Sequence, residues 1–468
     1  MTEAIISLLP YSPNRQQRLV IEALDRFCHP LLEESAPAAR TEDHCFILAG
    51  YAGTGKSSIC GALVAALTSA GVSTMLLAPT GRAAKVFSAF AGKPAYTIHR
   101  KIYRHSLDGS FPSLRDNKLD NTLFIVDEAS MISGEIAPSG TSLLEDLIHF
   151  VFAGTGNRLV FLGDTAQLPP VGAEFSPAME PEVLRSFGLK VSRAMLTETA
   201  RQSRDSGILF NATELRREMA AGRTNALPRL DIGSFDDTRL RSPEELPEEL
   251  ETAYRRDGID ATLLITRTNA RATAFNRAIR TEVLYLDSLI AKGEQILIAK
   301  NNYHWARKVK GLDFIANGDI AIVTDIYGTE KRYGLTFADV AITIPDLSAG
   351  IDCKITLDTL GSDTPALTRQ QTQDLYYNIM TDDSAFDTAD YNIRARRLQS
   401  NPYWNALQVK YAYAVTCHKA QGGQWDNVFV DMGYIHPDAA GLELYRWLYT
   451  AVTRARRSLT IIDSPQLL

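Results

Sequence analysis

Four short runs in the first half of the chain are apolar at consecutive rather than alternate positions: "HCFILAG", "STMLLAP", "NTLFIVDEAS" and "NRLVFLGD". Each ends in polar residues. A helical stretch, "SSICGALVAALTSAG", follows the first run and stops at Gly71. A strand that is apolar on both faces belongs in a parallel sheet covered on both sides by helices. In such an open sheet, functional residues gather at the C-terminal ends of the strands. After a helical region around "ELRREMAAG", the stretch "LPRLDIGSFDDTRLRSPEELPEEL" is rich in Pro and acidic residues and reads as a connection into a second half.

That second half resumes the pattern with "DATLLITRTNARATAFNRAIR" as strand then helix, and "NVFVDMG" and "SLTIID" as later strands. Between them, "QILIAKNNY", "NGDIAIVTDI", "RYGLTFADVAITIP" and "CKITLDTL" are β-like runs punctuated by turn residues. They predict a small β-barrel or meander inserted into an α/β domain. The expected division is a first α/β core over 1–235, a second over 246–293 and 405–468, and a β insertion over 294–404. The polar stretch about 374–400 predicts helix with no assigned role.

At 468 residues the chain exceeds what one ordinary core supports. No apolar run approaches the ~18 residues of a membrane span. The N-terminal "MTEAIISLLP" has an acidic residue and no basic start, so no secretory signal is expected. The five cysteines are scattered without a CxxC pair, which excludes a disulfide framework or zinc site and predicts a cytoplasmic setting. The formal net charge of −6 carries no vote for nucleic acid, although a local basic groove can sit on an acidic body.

Candidate chemistry changes the picture most. "GYAGTGKS", Gly50 to Ser57, satisfies GxxxxGK[ST] between a predicted strand and a predicted helix. Gly50, Gly53 and Gly55 let backbone amides close around phosphate, with Thr54 and Ser58 alongside. Lys56 reaches the β and γ phosphates of ATP and Ser57 holds Mg²⁺. The run "LFIVDEAS" delivers Asp127 to the Mg²⁺ shell and Glu128 as the base that activates water. Taken alone, the same acids could cap the next helix. "FLGDTAQLPPVG" adds Gln167, with the reach to sense the γ phosphate, on a turn stiffened by Pro169 and Pro170.

The order of motifs resembles the RecD/Dda-type group of superfamily 1 helicases. The matching stretches are "GYAGTGKS", "APTGRAA", "TIHR", "IVDEASM", "LGDTAQLPPVG", "LTETARQ", "VTCHKAQGGQW" and "LYTAVTRAR", which span nearly the whole chain. The resemblance implies two RecA-like P-loop NTPase domains with ATP in the cleft between them. It also implies an SH3-like insertion in the second core and a pin hairpin, about 102–121, in the first. Arg201 and Arg454 match the arginines that respond to the γ phosphate. Gln17 matches the glutamine that reads the adenine edge, with Gln16 adjacent as the alternative.

Pro79, Thr80, Thr97 and His99 in the first core match the grip on single-stranded DNA, as do Thr416, His418 and Lys419 in the second. For the two histidines, an internal hydrogen bond is the competing role. Phe111 either stacks on a base at the fork or packs on its own hairpin. The implied activity is ATP-dependent 5′-to-3′ translocation on single-stranded DNA with unwinding of a duplex fork. A translocase that strips proteins without productive unwinding is the alternative. The expected protein is a monomer with repair or recombination proteins as further partners.

Overall fold

The computed structural model describes all residues except 33–42, 105–112, 138–139, 199–205, 310–311, 313, 345–349, 383–390 and 463–468. Two parallel sheets and a closed barrel organise it. The first sheet has six strands in the order Ala95–Thr97, Ser73–Ala78, Thr122–Val126, Arg158–Gly163, His44–Gly50 and Lys190–Leu196, all parallel. The four apolar runs are its inner strands, and Thr122–Val126 and Arg158–Gly163 are buried throughout. Helices cover both faces. Val20, Ile21, Leu24, Leu63 and Leu67 pack on one, and Leu144, Leu147, Ile148 and Val151 on the other.

The second sheet, five-stranded and parallel, runs Ala414–Thr416, Thr262–Thr266, Trp425–Asp431, Ala455–Ile462 and Thr238–Arg241. Its last strand lies inside the stretch expected to be a connection. Thr238–Arg241 is an edge strand, buried at Thr238 and otherwise partly or fully exposed, so its sequence "TRLR" has no apolar run to betray it. The helix Gly207–Ala220, placed by sequence in the first core, packs instead on the helix Leu442–Val452. Ile208, Ala212 and Leu215 share a core with Leu444, Leu448 and Val452. The change of core therefore falls before residue 207, because the apolar face of this helix has its complement on the second sheet.

Five strands, Gln295–Ile298, Ile320–Arg332, Leu335–Thr343, Ile351–Thr356 and Leu407–Tyr411, close the barrel. This is the SH3-like insertion. Its closing strand lies beyond residue 404 and pairs antiparallel with Gln295–Ile298. Through Ala412 and Tyr413 that strand passes directly into Ala414–Thr416 of the second sheet. Asn276, buried on a second-core helix, clamps this junction. Its Oδ1 accepts from Tyr413 and Ala414 N–H, and its Nδ2 donates to Ala414 O at 2.7 Å. The barrel is further fixed by the buried Arg280–Glu294 ion pair, with the Arg280 guanidinium 4.4 Å from the Tyr411 ring centre. Helices Arg369–Asp382 and Tyr391–Ser400 extend from the barrel, and Leu375 and Ile379 pack on Leu335 and Phe337.

Candidate nucleotide site and nucleic-acid interface

The phosphate loop leaves strand His44–Gly50 and enters helix Lys56–Ser69. Gly55 starts that helix at φ 88°, where a side chain would be strained and would also collide with Tyr11 Oη. Thr54 is fully buried, and its hydroxyl donates to Tyr51 O at 2.7 Å. Lys56 Nζ donates to the carbonyls of Gly50 and Tyr51. Gly53, Ser57 and Ser58 line a cavity of about 240 Å³ together with Lys56.

Asp127 and Glu128 enter the same cavity from the end of strand Thr122–Val126. Burial pushes the Asp127 carboxyl up to about 7, the Glu128 charge adds to this, and the Glu128 N–H and Lys56 oppose it. Asp127 Oδ1 accepts from that N–H at 2.8 Å. Glu128 sits at φ 51°, a left-handed conformation uncommon outside glycine that re-aims its side chain at the strand end. A buried carboxylate beside a serine hydroxyl is a set of hard oxygen donors, so Asp127 and Ser57 fit Mg²⁺.

Gln167, on the turn after strand Arg158–Gly163, is buried at the cavity wall, and its Oε1 has no hydrogen-bond partner among the described residues. The residue lines the cavity that also holds Glu128. From the second core, Arg454 closes the same cavity at 3% exposure. Its guanidinium is shaped by Thr450 O at 3.0 Å, Gly423 O at 3.1 Å and Thr453 Oγ1 at 3.1 Å. Arg201 lies outside the described residues.

Gln17 is a different matter. Its amide oxygen accepts from Asn14 N–H in a capping box and its Nε2 donates to Thr54 O at 2.9 Å. At 2% exposure it braces the phosphate loop from beneath and does not line the cavity. Gln16 is no better placed to read a base edge, because its oxygen accepts from the Thr197 and Glu198 N–H groups. Both side chains are used by the scaffold, which a motif match cannot reveal.

The cavity lies at the seam of the cores, and further groups sequence reasoning passed over hold that seam. The Arg82 guanidinium stacks 3.7 Å from the Trp425 ring centre, joining the two lobes. A side chain at Gly423 would collide with both. The glycine at 423 therefore permits close approach of the cores. Arg446 donates to Glu174 O at 2.7 Å and Gln421 to Leu168 O at 2.7 Å.

The matched threonines occupy equivalent posts. Thr97 ends a strand of the first sheet and Thr80 lies two residues beyond another, and each caps the following helix, accepting from Arg100 and Ala83 N–H at 3.2 Å. A capping hydroxyl accepts with its oxygen, which leaves its O–H as a donor. Pro79 is half-buried at the same strand end. Thr416 similarly leads into helix Cys417–Ala420, without a side-chain cap bond. His418 is half-buried, and burial lowers its pKa from the usual value, so it is neutral at pH 7. His99 lies with its ring centre 5.7 Å from that of Tyr103. Lys419 donates to Asn317 Oδ1 in the barrel loop. The hairpin stem is present as Tyr103–Arg104 paired with Ser113–Leu114, while its tip, with Phe111, lies outside the described residues.

Two family models match the chain: an AAA domain over residues 34–231 and a UvrD-like helicase C-terminal domain over 411–462. The ATP-dependent RecD2 DNA helicase of Deinococcus radiodurans is 26% identical over 416 residues, covering 88% of this chain and 46% of that protein. The ATP-dependent DNA helicase dda of Enterobacteria phage T4 is 25% identical over 443 residues, covering 90% of this chain and 94% of that one. These matches agree with the resemblance of the motif order to the RecD/Dda-type group of superfamily 1 helicases. The chain spans about half the length of the first of these relatives and nearly all of the second. Among solved structures, a Pif1 helicase from Bacteroides in complex with ADP-AlF3 and ssDNA is 16% identical at a TM-score of 0.46, covering 98% of this chain and 94% of that one. Among the described residues no helix is long and apolar enough to cross a membrane.

Proposed function

We propose that the chain is an ATP-driven DNA helicase that moves 5′ to 3′ along single-stranded DNA and opens a duplex fork. The observation that carries this reading is the presence of Arg454 of the second core in one cavity with Lys56, Glu128 and Gln167 of the first. Nucleotide bound there would touch both lobes, so its hydrolysis would change their separation. Thr80 and Thr97 on one lobe and Thr416 on the other would then grip successive phosphates, and cycles of closure would become steps. Within this reading, Lys56 and Arg454 bind and neutralise the transferring phosphoryl group, and Glu128 and Gln167 orient and deprotonate water. Ser57 and Asp127 would hold Mg²⁺, which would supply charge neutralisation at the phosphates. Names of the relatives support the substrate, and the polarity rests on family resemblance.

The deciding test is an unwinding assay on duplexes carrying a 5′ or a 3′ single-stranded tail. Strand separation is expected with the 5′ tail, ATP and Mg²⁺, and Lys56→Ala should abolish it along with ATP turnover. Unwinding from the 3′ tail alone would reverse the assigned direction. DNA-stimulated hydrolysis without strand separation on either substrate would favour the protein-stripping alternative.

A further inference from the structure

The helix Leu442–Val452 runs along the seam, and two of its consecutive residues reach across to the first core. Tyr449 is fully buried. Its hydroxyl accepts from the Ala52 N–H of the phosphate loop at 2.9 Å and donates to Asp164 Oδ2 at 2.6 Å. One oxygen thereby joins three segments. Burial and the Asp164 charge hold the phenol protonated, so it remains a donor. Next in sequence, Thr450 Oγ1 accepts from Leu168 N–H at 2.9 Å and donates to Arg446 O. Asp164 and Leu168 are the two ends of the turn that carries Gln167, and Asp164 Oδ1 also accepts Ala166 N–H within that turn. The same helix end leads through Thr453 to Arg454.

We infer that Tyr449 and Thr450 are positioning residues that set Gln167 and the phosphate loop by the placement of the second core. The inference rests on the ATPase reading above and deepens it. When the cores separate, both ends of the Gln167 turn lose their anchors, and the Ala52 amide loses its acceptor. Gln167 is then correctly aimed only in the closed cleft, which ties water orientation to the same motion that delivers Arg454. Neither residue touches nucleotide in this scheme; each acts through the turn. Two buried hydrogen bonds, one to a carboxylate, hold that geometry.

The test is steady-state DNA-stimulated ATP hydrolysis by Tyr449→Phe and Thr450→Val, with melting temperature measured in parallel. For Tyr449→Phe, kcat should fall about tenfold with the KM for ATP within about twofold, since an interaction realised only in the closed state lowers kcat alone. Adding Tyr449→Phe to Gln167→Ala should produce little further loss, because Tyr449 acts through the turn that aims Gln167. A purely structural role would instead lower the melting temperature and give additive losses. Should Tyr449→Phe fail to fold, Thr450→Val alone decides, with the same split of kcat from KM expected. Unchanged kcat in a folded variant, or full additivity with Gln167→Ala, overturns the inference while leaving wild-type turnover as evidence for the motor. A wild-type protein that does not hydrolyse ATP overturns both.

Discussion

Glu128 holds a backbone conformation that only a few non-glycine residues adopt, and it does so at the strand end facing Lys56. Strain retained at such a point marks a side chain whose direction matters. Glu128→Gln keeps shape and removes the proposed base, so ATP should still bind, while turnover falls by about 10²-fold or more, the usual worth of general-base catalysis. Fluorescent-nucleotide binding and phosphate release measure the two halves. At the same scale, burial pushes the Cys28 and Cys417 thiols up to about 12, and all five cysteines are buried and free. The folded protein should leave Ellman's reagent unreacted at pH 8, with five thiols appearing in denaturant. The phosphate loop, the acidic pair and Gln167 were legible because their chemistry fixes residue type and spacing together. Tyr449 and Arg82 were not. A tyrosine within "LELYRWLYTAV" reads as core, and an arginine within "GRAAK" reads as a solvated face, until the opposite lobe is brought to them.

Among elements, burial decided which ones the sequence disclosed. Inner strands such as Phe46–Ala49 and Leu123–Val126 are covered on both faces and show unbroken apolar runs. Edge strands do not. Lys190–Leu196 exposes much of its length, and Thr238–Arg241 reads as charged loop. Helix Gly207–Ala220 was visible as a helix, but the lobe it serves depends on a partner more than two hundred residues later, which local periodicity does not encode. Asn276 is a third case, a buried amide whose hydrogen bonds go to the backbone where barrel and second sheet meet. Asn276→Ala should destabilise the protein by about 2 kcal/mol, the penalty for stranding buried backbone polar groups. Urea unfolding followed by tryptophan emission checks the value. An effect below about 0.5 kcal/mol, the usual range for surface substitutions, would remove the clamp assigned to this side chain.

For the whole molecule, the seam between lobes is the decisive region, and beside the apolar packing of Ala166 and Leu168 it carries polar and cationic contacts: Arg82 on Trp425, Gln421 on Leu168, Arg446 on Glu174. Such contacts can be made and broken within a catalytic cycle. A cation–π stack of this kind is worth about 0.5–1 kcal/mol. Arg82→Ala should therefore raise the ATP concentration needed for half-maximal turnover by about two- to fivefold, read from initial rates at saturating DNA. The two-lobed plan was readable from motif order, and the barrel from its alternating runs. The junction of barrel with second lobe was not, because its closing strand sits next to the "VTCHKAQGG" motif and had been counted with that lobe. Yet this placement has a mechanical result. From Leu407 to Thr416 two strands follow one another with only Ala412 and Tyr413 between them, and Asn276 holds the junction. If Thr416 grips a strand as proposed, a pull on the barrel would reach that grip within a few residues, and the two would travel as a single part.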